Sequence, residues 1–187
     1  ILSPKEKEEK KWVNVMALAD NKSFMKIEAR LEGNQVKGHR STILYGQEAV
    51  EYQANEKHKQ DSIVSNPESN GSLKNKLTVT NLKVKKQEND RALIEEEFDF
   101  VLQTDRTDDH LYINPMLFPH LKSNPFIQTE RVLPIEFPYP YKFTMLTTLT
   151  LPEGYEVEET PQPQVIRTQG DGLQCKYMIQ RQGNTIS

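Results

Sequence analysis

The stretch "MKIEARLEGNQVKGHRSTILY" (25–45) decides the class of fold. Apolar and polar residues alternate in its first part, so Ile27, Ala29 and Leu31 share one face of an extended chain. The "EGN" that follows (32–34) supplies the glycine and asparagine of a tight turn, after which the pattern returns as a second strand. The sequence therefore predicts a β-hairpin with one apolar face.

The same alternation predicts further short strands along the chain, at 76–85, 91–103, 110–114, 141–151, 155–159, 163–169 and 173–180. The segment near 46–58 differs, because it is rich in helix formers and contains no proline, which favours one short helix. Serine, asparagine, proline and glycine predict a loop at 61–75. Short strands separated by turn signals are typical of an all-β, mostly antiparallel, β-sandwich-like fold.

Composition excludes several classes of protein. The chain has 187 residues and a net charge of -3, which is too small to keep it unfolded by charge repulsion. A pI near 5.9 argues against binding to nucleic acid, because phosphates require a concentrated basic surface. No apolar run approaches the roughly 20 residues that span a bilayer, so we expect no membrane span. The single cysteine excludes an intrachain disulfide and a multi-thiolate zinc site.

The character of the sequence changes near the middle of the chain. Prolines concentrate between 115 and 163 in a background rich in phenylalanine and tyrosine, where proline is excluded from central strands. We therefore predict an N-terminal β-rich part, 1–108, and a C-terminal β-sandwich-like domain, 109–187. The chain opens on Ile1 rather than on methionine, so we expect it to be a fragment of a longer protein.

Cys175 is the one thiol that could act as a nucleophile, and it would need a histidine and an acidic or amide partner. It alternates, however, with Leu173, Tyr177 and Ile179. This is the pattern of a buried strand face, and free cysteine is among the most frequently buried residue types. The pattern therefore favours an inert core cysteine, and we predict no catalytic residue.

Asp108, Asp109 and His110 are residue types that bind metals. Three adjacent residues point in different directions, and no calcium-loop spacing follows them. Aspartate is common in turns, so the group favours a polar hairpin tip. We predict no metal and no cofactor.

The segment "EFPYPYKF" (136–143) admits two interpretations. Exposed Phe137, Tyr139 and Tyr141 on a proline frame would suit stacking against a sugar ring or an extended peptide. Together with Phe143, however, these residues fall at every second position and continue the apolar face of the strand that follows. The second interpretation, in which the aromatic residues are part of the architecture, is favoured. Burial of Tyr139 would support it, and exposure beside a groove would support a binding site.

The string "INPMLFPHLKSNPFIQTERVLPIEFPYPYKFTMLTTLTLPEGYEVEETPQP" (113–163) resembles the C-terminal β domain, itself of unknown function, of bacterial transglutaminase-like, cysteine-protease-like proteins. The resembling features include the "NP" at 114–115 and the "LPEGYEVEE" at 151–159. The segment "ARLEGNQVKGHRSTILYGQEAVEYQ" (29–53) is similar to the region that follows the catalytic core in those Gram-negative proteins.

The resemblance implies an accessory role. In that family the catalytic Cys, His and Asp belong to the core, which no segment here resembles, so Cys175 takes over no role. The resemblance implies a non-catalytic domain, exported to the periplasm or the cell surface, whose partner is the transglutaminase-like core of the same parent chain. The alternative is an extracellular module that binds a glycan or a peptide through the aromatic residues at 137–143.

Overall fold

A computed structural model of the chain describes residues 21–54, 76–88, 92–119, 137–168 and 172–187. The loop predicted at 61–75 and the end of the predicted helix lie outside these ranges. In chain order the elements are β1 (Lys22–Glu32), β2 (Gln35–Tyr45), α1 (Gln47–Ala54), β3 (Leu77–Glu88), β4 (Ala92–Gln103), β5 (Asp105–Thr107), β6 (His110–Tyr112), β7 (Lys142–Thr150), β8 (Gln164–Arg167), β9 (Gln174–Tyr177), β10 (Arg181–Gln182) and β11 (Thr185–Ile186).

Seven strands form the main sheet, in the order β10-β11-β7-β1-β2-β4-β3, and β5–β6 and β8–β9 form two separate two-stranded sheets. Most strand pairs are antiparallel, and β1 and β7 run parallel. The predicted all-β, mostly antiparallel class with one short helix is therefore confirmed. Strands from both sides of the predicted 108/109 boundary belong to this one sheet, because β7 lies between β1 and β11.

The predicted hairpin at 25–45 is formed by β1 and β2, with Leu31 opposite Val36 and Ile27 opposite Arg40. Gly33 closes the turn at a φ of +60°, a backbone conformation that glycine adopts without steric cost. The alternation read from the sequence is reproduced in the burial of β1, where Ile27 is fully buried and Glu28 is exposed.

One face of the main sheet carries the hydrophobic core. Its buried side chains come from the central strands and from the segment after β6, and they are Met25, Ile27, Ala29, Leu31, Val36, Phe98, Phe100, Leu102, Leu117, Phe118, Leu149 and Leu151. The Phe118 ring meets the Phe98 and Phe100 rings edge to face, with centroids 5.7 and 5.0 Å apart. This geometry suits the charge distribution of aromatic rings, so Phe118 fixes the covering segment over the centre of the sheet.

Helix α1 covers the neighbouring part of the same face. Ala49 and Tyr52 are buried against Ile94, and Leu44 and Val84 pack around them. The helix follows β2 after the single residue Gly46, whose carbonyl accepts the backbone N–H groups of Ala49 and Val50 at 3.1 Å. In the described ranges α1 and the segment around Phe118 lie over the core, together with Leu111, Ile113 and Val157, and no large second sheet covers it.

Three details differ from the sequence-based expectations. The segment 155–159 is not a strand, although Val157 packs against the core. The parallel pairing of β1 with β7 was not anticipated, because strands this far apart in sequence carry no local sign of their partner. The last residues form a small hairpin, β10–β11, which adds to β7 through the pairs Thr185–Thr150 and Ile186–Leu149.

Among the described residues, no helix has the length and apolar character needed to cross a membrane.

Candidate interaction surface and polar clusters

The aromatic segment predicted as a candidate contact leads directly into β7. Residues 137–141 are not part of a strand, and β7 begins at Lys142. Phe143 packs against the core, as the alternation predicts, whereas Phe137 is 48% exposed and Tyr139 is half-buried. The aromatic residues therefore do not form one continuous buried stripe, because residues 137–141 are not in a strand and the regular alternation of faces begins only at Lys142.

Tyr139 is attached to helix α1. Its hydroxyl donates to Glu51 Oε1 at 2.8 Å and lies 3.3 Å from Glu48 Oε1. Burial, together with these acceptors and their negative charge, holds the pKa of the Tyr139 hydroxyl well above its usual value. The neutral phenol is therefore the stable form, and it joins the segment before β7 to the helix after β2.

Asn21 strengthens the same junction, and the sequence analysis gave no signal for this role. Its side chain is buried, donates from Nδ2 to the Pro140 carbonyl at 3.2 Å and accepts the Gln47 backbone N–H at 2.8 Å. The backbone carbonyl of Asn21 accepts the Lys142 backbone N–H at 3.0 Å. One residue thus connects the first turn of α1 with the start of β7, and only the tertiary structure brings these partners together.

Phe137 and Tyr141 form an aromatic pair at the surface beside this junction. Their rings meet edge to face with centroids 6.3 Å apart, and Tyr141 is half-buried. The exposed Phe137 ring could stack against a sugar ring or a peptide side chain. The predicted contact residues therefore divide into one attached to the helix, Tyr139, and two at the surface.

A buried polar cluster lies on the core face between the two groups of apolar side chains. Arg40 Nη2 lies 3.3 Å from Glu96 Oε1, and Arg40 Nε donates to Thr42 Oγ1 at 3.0 Å. The Tyr52 hydroxyl of α1 donates to Glu96 Oε2 at 2.5 Å. Burial lowers the pKa of the Arg40 guanidinium, and the charge of Glu96 opposes that shift.

Aromatic rings complete the surroundings of Arg40. The guanidinium carbon lies 4.9 Å from the centroid of the Phe98 ring and 5.1 Å from that of Phe118. Such contacts favour a cation because the faces of aromatic rings are electron-rich. The cluster therefore satisfies a buried charge by an ion pair, hydrogen bonds and two rings, and it ties α1 to the centre of the sheet.

A histidine–aspartate pair lies on the opposite, solvent-facing side of the sheet. His39 Nδ1 is 2.8 Å from Asp99 Oδ1, and Asn81 Nδ2 donates to Asp99 Oδ2 at 2.7 Å. The hydrogen bonds from Asn81 and His39 lower the pKa of the Asp99 carboxyl. Asn81 has a φ of 55° where the β3–β4 register shifts, and this bulge brings its side chain to Asp99.

Cys175 does not occupy the core position that the sequence predicts. It is exposed in β9, which pairs with β8 in one of the two-stranded sheets. The prediction of burial was wrong, because alternation identifies the residues that share a face but not whether another layer covers that face. Its neighbour on the same face, Leu173, is also exposed, at 47%.

Asp108 and Asp109 form the tip of the β5–β6 hairpin, as expected, and Asp108 adopts a φ of 52° there. His110 Nε2 lies 3.1 Å from Glu158 Oε2, so this histidine contacts the acidic segment after β7. Within the described residues, no group of three or more His, Cys, Asp or Glu side chains is placed to hold a metal ion.

Comparison with known proteins finds a similarity to one family in the C-terminal part of the chain. Residues 109–187 match DUF3858, described as a "Domain of Unknown Function with solved-structure structure". No curated protein and no solved structure matches the chain. The family match gives no link to transglutaminase-like proteins. The first matched residue coincides with the start of the C-terminal part predicted from the sequence.

Proposed function

We propose that the chain is a non-catalytic β accessory and interaction domain of an exported bacterial transglutaminase-like protein. The observation that carries the proposal is the parallel pairing of β1 with β7, from Lys22–Lys142 to Arg30–Thr150. Through it, the segment that resembles the region after a catalytic core is built into the same sheet as the DUF3858 domain.

This connection suits a supporting role. The polypeptide that leaves a core at the N-terminal side would enter the sheet at β1, next to β7, and would be held there by Asn21. A core attached in this way gains a fixed neighbour in place of a loose linker. As part of the proposal, the protein is exported to the periplasm or the cell surface, as the resemblance implies, and the partner of this domain is the core of its own parent chain.

The proposal is tested on the parent protein and on the isolated chain. We expect the transglutaminase-like core to melt at a higher temperature with this chain attached than without it. Leu149→Ala, which weakens the core beside β1, should reduce that difference, while the exposed Leu146→Ala on the other face of β7 should leave it unchanged. Equal melting temperatures of the core with and without the chain would contradict a supporting role.

The isolated chain provides the complementary test. We expect it to show no acyl transfer and no peptide hydrolysis, and Cys175→Ser should change nothing. Turnover by the isolated chain that disappears in Cys175→Ser would replace the accessory role with a catalytic one. Cys175 is accessible to reagents in this structure, so the same variant also serves as the control for thiol labelling.

A second candidate function is recognition of an extracellular glycan or peptide, which the exposed Phe137 ring, packed edge to face on the half-buried Tyr141, favours. A glycan and peptide array on the intact chain tests it. Specific binding should be lost in Phe137→Ala and kept in Tyr112→Ala, because Tyr112 is 65% exposed on β6 and serves as the matched aromatic control. Equal binding by both variants would exclude this surface.

A further inference from the structure

The parallel pair of β1 and β7 is placed to carry force along the chain. The two strands pair without a break over nine positions, from Lys22–Lys142 to Arg30–Thr150. Because they run in the same direction, the chain enters β1 at one end of the pair and leaves β7 at the opposite end. A pull on the chain before Lys22 and after Thr150 would therefore drive the two strands past each other lengthwise.

The direction of such a pull decides how the hydrogen bonds of the pair are loaded. In a parallel pair these bonds are evenly spaced along the strands and run between them. When the strands are pulled lengthwise in opposite directions, all the bonds carry the load together. When the strands are separated from one end, the bonds break one after another, and each carries the load alone. The lengthwise pull therefore requires the higher force.

The other strand pairs of the sheet concentrate this load on β1 and β7. On its other side, β1 pairs with β2 over its full length, from Lys22–Tyr45 to Glu32–Gln35. The other neighbour of β7 in the sheet is β11, and that pairing covers only two positions of β7. Within the described ranges, β1–β7 is thus the strand pair that connects the N-terminal strands of the main sheet to its C-terminal strands. Whichever of the two strands moves, this pair has to break.

Buried side chains shield one face of the pair from water. On the core face Ile27 is fully buried, and Met25, Ala29 and Leu149 are at most 8% exposed. Water that reaches a backbone hydrogen bond competes for its donor and its acceptor, which lowers the net strength of that bond. A dry face therefore helps the pair to stay intact under load.

We propose that β1 and β7 form a mechanical clamp, which resists tension between the polypeptide that enters β1 and the polypeptide that leaves β7. An antiparallel β7 in the same place would end beside Lys22, and tension would then separate the strands bond by bond. The inference goes beyond the supporting role proposed above, because it concerns this chain alone and holds for any domain attached to it.

The test stretches the intact chain in an optical trap along two directions. One handle is attached at position 153 and the other at the N-terminus or at position 34, through azide-bearing amino acids. Asn34 and Glu153 are exposed and follow the same end of the pair, so that these two handles separate the strands from one end. We expect the N-terminal handle to require a rupture force at least about twofold higher, because several bonds share the load. Equal rupture forces in the two directions would overturn the inference.

A disulfide across the pair tests whether this pair is the part that resists. Lys26 and Leu146 are partners in the register, and neighbouring strands lie within the Cα separation that a disulfide spans. Lys26→Cys with Leu146→Cys, in a Cys175→Ser background, should remove from the high-force event the chain between the two positions, about 400 Å when extended. Reduction should restore it. A high-force event of unchanged length would place the resistance elsewhere and overturn the inference.

A second disulfide is the matched control outside the loaded path. Ile166→Cys lies opposite the native Cys175 in the β8–β9 hairpin, which follows the handle at position 153. Its oxidation should change neither the rupture force nor the length, and a shortening here as well would contradict a load path through β1 and β7. Equal melting temperatures of the core with and without this chain would leave the clamp standing, and equal rupture forces would leave the supporting role standing.

Discussion

The Tyr139 hydroxyl donates a hydrogen bond to Glu51 at 2.8 Å across a sequence separation of 88 residues. The contact joins the proline-framed segment before β7 to the helix after β2. A segment that looked like a candidate binding platform is therefore partly structural, and its two remaining aromatic residues, Phe137 and Tyr141, form the accessible part.

Removing this hydroxyl should lower stability slightly. Tyr139→Phe deletes the hydrogen bonds to Glu48 and Glu51 and should reduce the free energy of unfolding by about 0.5–1.5 kcal/mol. Urea unfolding at neutral pH measures the difference. Tyr112→Phe, which removes an exposed hydroxyl, is the matched control and should unfold like the wild type. A Tyr139→Phe protein as stable as this control would show that the contact contributes nothing.

The same residue predicts a dependence on alkaline pH. The pKa of Tyr139 is raised in the folded state, so its contribution to stability is present below the unfolded value of about 10. It is lost as pH rises above that value, because the unfolded tyrosine then ionises while the folded one resists ionisation. The stability of the wild type should therefore fall relative to Tyr139→Phe above this pH. Parallel unfolding profiles of the two proteins would contradict the prediction.

The facing of β7 can be tested with a pair of leucines. Leu149 is 7% exposed within the core and Leu146 is 44% exposed on the opposite face. Leu149→Ala should cost about 2–5 kcal/mol, as the deletion of buried apolar groups does. Leu146→Ala should change the free energy of unfolding by about 0.5 kcal/mol or less. Similar losses from both substitutions would mean that β7 is buried on both faces.

The buried pair of Arg40 and Glu96 should show strong coupling. Arg40→Met leaves the Glu96 carboxylate buried without its cation and should cost about 3–5 kcal/mol. The double variant Arg40→Met, Glu96→Leu should recover much of that loss, because no uncompensated charge remains. Lys83→Met breaks an exposed pair with Glu97 and should leave the stability close to that of the wild type, because solvent screens such pairs. A double variant as unstable as the sum of the single variants would rule out coupling.

Gly38 should tolerate no side chain. A Cβ placed there would lie 2.5 Å from the Glu28 carbonyl oxygen and 2.8 Å from the Ala29 Cβ on the neighbouring strand β1. Gly38→Ala should therefore force the β1–β2 pair apart and cost about 1–3 kcal/mol. At Gly172 the nearest atom is 3.8 Å away, so Gly172→Ala is the control for the loss of a glycine. Equal thermal stability of both variants would contradict this close approach.

The local elements of the fold could be predicted from the sequence because their causes are local. Alternating residues identified both strands of the first hairpin, and glycine and asparagine identified its turn. The Asp108–Asp109 tip followed from turn preferences in the same way. Cys175 shows the limit of such reasoning: its alternation with Leu173 and Tyr177 was a true facial pattern, but burial depends on a covering layer that the pattern does not encode.

The sequence by itself determined the all-β class, the hairpin at 25–45 and the short helix. It also determined which side chains of a strand share a face. Each of these features depends on neighbours within a few residues. Only the tertiary structure decided that β7 runs parallel to β1 and that Asn21 and Tyr139 bind the two parts together. It also decided that the β8–β9 hairpin remains exposed. Contacts between residues far apart in the chain depend on how whole elements pack, and packing places no local mark on either partner.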